Sequence, residues 1–222
     1  GDTLTVPGDV TIPNNGVIGQ ASESGANNFG SLTIESGGTY VATSGTTTIT
    51  SEAGSGYALE VSGTFTHNNG TVTVTTAATT FIKSGSSLYN LIINASSQTH
   101  EWVENTTIAN DLTITAGRFT HNSSTHTLTV TGDVLISSGG EIDGGSTTVT
   151  FGSLEIASGG TYVATSGTTT LNGGGANSDS NTSLYGEGTF THNKGTLHFA
   201  SGAAYRIALG GTFYNVTTDV QL

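Results

Sequence analysis

The chain has 222 residues, of which Gly, Thr and Ser supply 101; charged residues make up 9%, and four basic side chains stand against sixteen acidic ones for a net charge of -12. Charge this sparse excludes the ordinary helical or α/β enzyme domain, where charged residues approach about a quarter. An acidic chain with only Lys83, Arg118, Lys194 and Arg206 as cations has no electrostatic footprint for DNA, RNA or an anionic membrane.

Short alternating runs recur along nearly the whole length: Leu4 to Val6, Leu32 to Ile34, Thr46 to Thr50, Thr71 to Thr76, Leu88 to Asn94, Leu112 to Thr115, Thr127 to Val130, Thr147 to Phe151 and Thr168 to Leu171. Val, Ile, Leu or Phe alternating with Thr is the period-2 pattern of a half-buried strand, with β-branched Thr suited to the outer face, so each run is predicted as a strand. Helical periodicity is missing throughout. SGG, SGS, NNG, GGS and GGG clusters between the runs supply the positive φ that tight turns demand. With no Cys, disulfides, thiolate nucleophiles and Cys-held metals are excluded. No apolar run reaches the roughly 18 residues of a membrane span, and no signal peptide is visible.

The elements repeat. Residues 31–50, SLTIESGGTYVATSGTTTIT, return at 153–172 as SLEIASGGTYVATSGTTTLN. GTFTHNNGTVTV from Gly63 returns from Gly188 as GTFTHNKGTLHF, LYNL from Leu88 as FYNV from Phe213, and GRFTHNSSTHTLTV from Gly117 is a third version of the GTFTHN segment. A sandwich or barrel closes after a fixed strand count, whereas reappearing segments favour coils stacked along an axis. The predicted fold is therefore all-β: a parallel β-solenoid (β-helix) without helices of note, forming a single domain over 1–222 in which a long repeat relates 31–98 to 153–222. At about 20 residues per coil it holds roughly ten or eleven coils. The chain lacks Met and neither end reads as a cap, so the expectation is a processed or longer natural object, or one whose ends stack on neighbours.

Several residues invite a chemical reading. The FTHN histidines His67, His121 and His192 use one tetrapeptide three times, which suits a turn or ladder element better than a catalytic base that needs a unique partner set. His100, His126 and His198 are expected on the surface or in ladders. Carboxylates pair at Glu101/Glu104 and Glu141/Asp143, with Asp179 and Glu187 in a later loop; polysaccharide-cleaving enzymes cluster carboxylates, but the basic helpers are nearly absent here. The loops Ser138 to Gly145 and Gly173 to Ser183 offer oxygens for Ca²⁺ but match no calcium motif and are expected to be turn-forming loops, so no catalytic, cofactor or metal residue is assigned. Trp102, with Glu101, Glu104 and Tyr89, forms a candidate ligand patch, although filling a coil interior is the commoner use of so large a side chain. Asn69, Asn94, Asn105, Asn122, Asn181 and Asn215 head N-x-S/T sequons and are candidate glycosylation sites. Thr-x-Thr runs resemble the ice-facing arrays of antifreeze solenoids, but turns of varying length interrupt them, and that argues against one flat face.

SLTIESGGTYVATSGTTTI, GTFTHNNGTVTV and SLYNLIINASS, with the TIANDLTITAGRF and TVTGDVLISSGG segments, resemble the repeats of large bacterial surface and secreted β-helical proteins. Autotransporter passengers and filamentous-haemagglutinin-like adhesins are the named families, and similar repeats occur in phage fibre-like proteins. The resemblance covers essentially the whole chain and implies an extracellular or cell-surface location. It also implies a non-enzymatic role as adhesin shaft, spacer or filament subunit. Partners are then copies of the chain, joined end to end or by strand donation, and surface glycans, with neither nucleic acid nor a membrane span. The rival readings are a carbohydrate- or receptor-binding fibre and a polysaccharide-degrading β-helix enzyme.

Overall fold

The computed structural model describes residues 1–19, 22–85, 87–121, 123–173, 182–200 and 206–219. Among them every regular element is a β-strand, and every ladder is parallel. The chain visits three ladders in a fixed order, so each strand meets its predecessor only after one full coil. The first ladder begins with Leu4–Val6, Asn27–Phe29, Thr46–Ile49 and Thr71–Val74. It continues through 90–93, 112–114, 134–136 and 154–156 to Thr182–Gly186 and Arg206–Ala208. The second holds Val10–Ile12, Leu32–Ile34, Tyr57–Val61 and Thr80–Lys83, then 100–102 and 118–120, then Gly140–Asp143, Thr161–Val163 and Thr189–Thr191. The third opens with Val17–Ile18, Thr39–Val41 and Thr64–Thr66, and resumes at a bridge between Leu88 and Ile108. From there it runs through Thr106–Ile108, 128–130, 149–151, Thr168–Leu171 and Thr196–Phe199 to Asn215–Thr218.

The result is a parallel β-solenoid of about nine turns. That is slightly fewer than a uniform 20-residue coil predicts, because the step to the next coil varies from 19 residues (Val72 to Leu91) to 30 (Leu154 to Leu184). Four strands, Asn90–Trp102, Leu112–Thr120, Leu128–Ile136 and Val149–Ile156, run from one ladder into the next. The register slips in their middles mark two of these corners.

Alternation does what the pattern demands. In Leu32–Ile34, Thr46–Ile49 and Thr168–Leu171 one set of side chains is buried and the other partly open, and the buried set merges into one continuous apolar core along the axis. Aromatic rings stack within it: Phe29 on Tyr40 at 5.9 Å and Tyr40 on Phe65 at 5.4 Å, repeated as Phe151 on Tyr162 at 6.0 Å and Tyr162 on Phe190 at 5.6 Å.

The two copies of the long repeat do not occupy the same faces. Leu32–Ile34 lies in the second ladder but its counterpart at 154–156 in the first; Thr39–Val41 lies in the third and Thr161–Val163 in the second. The distance between copies is not a whole number of coils, so the same sequence is carried one face round the stack. Its internal devices survive the rotation. Tyr40 hydroxyl lies 2.8 Å from Thr47 Oγ1, and Tyr162 hydroxyl 2.7 Å from Thr169 Oγ1. Thr43 and Thr165 each hydrogen-bond a carbonyl of the preceding coil, Gly25 and Thr147 respectively, and accept from Gly45 and Gly167 N–H.

Candidate functional site

The FTHN histidines fall into two kinds. His67 and His192 sit at corners where the next two residues adopt left-handed backbone, Asn68 and Asn69 at φ 45° and 58°, Asn193 and Lys194 at φ 41° and 60°. Each ring accepts the N–H two residues on at Nδ1, 3.0 Å from Asn69 N and 3.0 Å from Lys194 N. Each also stacks on a tyrosine of the next coil, His67 on Tyr89 at 5.3 Å and His192 on Tyr214 at 5.6 Å. These are turn clamps, as the repetition suggested. His121 lacks the following Asn-Gly or Lys-Gly turn and enters the core, where its ring lies 4.6 Å from Trp102 and its Nε2 2.9 Å from Gly144 O.

Trp102 is fully buried, packed on Phe119 at 4.7 Å as well as on His121. It fills the coil interior and takes no part in the candidate ligand patch: alternation along Asn90–Trp102 aims Glu101 outward and Trp102 inward. Glu104 accepts from Gly85 N–H, and Tyr89 belongs to the corner beside His67. The four residues therefore form no common patch. His100 is also interior rather than on the surface; it is fully buried in register with Thr80 and Phe119, with Nδ1 2.8 Å from Thr80 Oγ1. Burial with one hydrogen bond disfavours the imidazolium and pushes its pKa down to about 4.

Segment Ser138 to Gly145 is not a loop, because Gly140–Asp143 is a second-ladder strand in register with Gly117, Arg118 and Phe119. Ile142 points inward, and the two carboxylates point out to Arg118, whose Nε lies 2.9 Å from Glu141 Oε1 and whose Nη2 pairs with Asp143 Oδ2. One cation thus bridges both acids, which leaves neither arranged as a free proton donor or nucleophile. The spacing of Arg118 from these acids gave no hint of this, since they stand 23 and 25 positions further along a chain that coiling brings back beside it. Among the described residues no cluster of three or more His, Cys, Asp or Glu is placed to hold a metal ion. Asp179 and most of the Gly173 to Ser183 loop lie outside the described residues; Glu187 is exposed.

A second polar system runs along the outside of the first ladder. Asn90 Nδ2 donates to Thr71 Oγ1 at 3.2 Å, Asn110 Nδ2 to Asn90 Oδ1 at 2.9 Å, Asp133 N–H to Asp111 Oδ1 at 2.9 Å, and Ser153 Oγ to Asp133 Oδ1 at 2.5 Å. Burial, and then the Asp133 charge, raise the pKa of neighbouring Glu155. His198 is a ladder residue, 2.9 Å from Thr217 Oγ1 and 3.6 Å from Asp219 Oδ2, and His126 offers its carbonyl to Thr147. Of the sequon asparagines, Asn69, Asn94, Asn105 and Asn215 are exposed, while Asn122 and Asn181 lie outside the described residues.

No protein-family model, no curated protein and no solved structure matches the chain.

Proposed function

We propose that the chain is a rigid extracellular β-solenoid module, a shaft or spacer without catalytic chemistry of its own. The observation that carries this reading is the continuity of the stack: three parallel ladders around one unbroken core, braced outside by side-chain ladders that tie each coil to the next. About nine steps at ~4.8 Å make a body roughly 45 Å long that resists bending because the ladder pairings between coils lie along its axis. The same chemistry repeated over the length suits a part whose job is distance, and the burial of Trp102 and the bridging of Glu141 and Asp143 by Arg118 weaken the glycan-binding and hydrolase readings. Copies of the chain are the partners this reading calls for, joined through pairing of sheet edges.

Labelling intact source cells with an antibody against the chain tests the proposal. Signal on unpermeabilised cells is expected, and signal confined to lysed cells would sink it. A glycan array and a reducing-end release assay with the purified chain distinguish the rivals; binding or turnover lost in Glu101→Gln or Glu141→Gln would replace the shaft reading.

A further inference from the structure

From Thr106–Ile108 to Asn215–Thr218 the third ladder passes through six strands in unbroken register. The single irregularity in these pairings falls after Val130, where the chain has already left the ladder. Its outward positions form a column, Thr107, Thr129, Thr150, Thr170, His198 and Thr217. Two residues before each, Thr168, Thr196 and Asn215 stand in register as a second column, while Asn105, Thr127 and Thr148 precede their strands. Behind them Ile108, Val130, Phe151, Leu171 and Phe199 are buried and back the face with a solid core.

The turns that break up the Thr-x-Thr runs in sequence do not break up this face. Thr170 and His198 are direct neighbours although they stand 28 positions apart in the chain. No carboxylate, Lys or Arg stands in either column, in a chain of net charge -12 whose other two ladders carry Arg118, Glu141, Asp111 and Asp133 outside. Thr43 and Thr165 spend their hydroxyls on backbone carbonyls. Those of Thr129, Thr150 and Thr170 make no hydrogen bond within the chain among the described residues.

Paired strands set rows about 4.8 Å apart, and alternate side chains along a strand lie about 6.7 Å apart. The columns therefore make a nearly rectangular lattice of hydroxyl and methyl groups. A ligand matching it must be periodic in two directions, uncharged, and able both to donate and to accept hydrogen bonds. Oxygens on the prism face of ice have nearly these two repeats, and threonine offers a methyl that orders adjacent water beside a hydroxyl that bonds into the lattice. We infer that this face binds ice. The inference goes beyond the shaft reading and is tested independently of it.

The intact chain, fluorescently labelled at its N-terminal amine, is to be presented to a growing ice crystal and assayed for inhibition of ice recrystallisation. Adsorption and inhibition are expected. Thr150→Tyr and Thr170→Lys, both pointing out of the array, should each weaken inhibition at least about tenfold. Thr161→Tyr, outward on the second ladder, should leave it unchanged, with thermal melts confirming that the variants stay folded. Exclusion of the wild-type chain from ice, or full inhibition by both array variants, overturns the inference. So does adsorption to microcrystalline cellulose or chitin without adsorption to ice, which would assign the face to a polysaccharide.

Discussion

His100 is where single-residue chemistry touches stability most directly. In the unfolded chain its imidazole takes a proton near pH 6.5, and in the core only near 4. The folded pKa is depressed, so the stability tied to neutral His100 is complete above 6.5 and is lost as pH falls from 6.5 toward 4. The full effect is roughly 3 kcal/mol. Urea unfolding at pH 7 and pH 4.5 should therefore show a smaller loss in His100→Gln than in the parent chain, with the common titration of carboxylates cancelling in the comparison. Lys194 holds a φ of 60° where its counterpart in the earlier repeat is Asn69. A long side chain in left-handed backbone is strained, and Lys194→Gly should raise stability by up to about 1 kcal/mol, read as a higher urea midpoint at unchanged slope.

The repeated devices make internal controls possible at the scale of elements. Tyr40 hydroxyl meets both Asn27 Nδ2, at 2.7 Å, and Thr47; Tyr162 hydroxyl is bonded to Thr169, and Val149 rather than an asparagine stands beside Thr169 where Asn27 stands beside Thr47. Burial raises the pKa of both phenols, so each hydroxyl remains a neutral donor and acceptor. Tyr40→Phe leaves Asn27 and Thr47 without their partner and Tyr162→Phe does the same to Thr169 and the Thr165 backbone, so each should cost about 1–3 kcal/mol in thermal or chemical melts. Gly70 and Gly195 close equivalent turns, and a Cβ on either would overlap the carbonyl oxygen of Thr43 or Thr165 in the coil before. Gly70→Ala and Gly195→Ala are each expected to destabilise by about 1–3 kcal/mol, measured by urea denaturation, because the obstacle is backbone rather than the end of a flexible side chain.

Over the whole molecule, ladder pairing joins each coil only to its neighbours, so stability is close to a sum of coil and interface terms and the ends fray first. Asn215–Thr218 is exposed at all four positions, whereas alternate residues of Leu128–Ile136 are buried between coils on both sides. Hydrogen exchange followed by mass spectrometry should show peptides over 215–218 exchanging well before those over 128–136. Equal protection across the stack would mean that the solenoid opens as one unit.

Strand positions, the absence of helices and the solenoid itself were legible in the chain, because alternation of apolar residues with Thr is a local signal and near-identical segments advertise stacking. The turn role of His67 and His192 was legible for the same reason: both lie in a short motif whose glycine and asparagine dictate the backbone. Trp102, His100 and the Arg118 bridge to Glu141 and Asp143 were not, since inward or outward placement there depends on where a long strand crosses a corner, and ion partners are set by coil length. The third-ladder array makes the point most clearly. Its threonines are scattered among turns of unequal length in the chain, and they align because the hydrogen-bonded register of parallel strands holds each row beside the last whatever the length of chain between them.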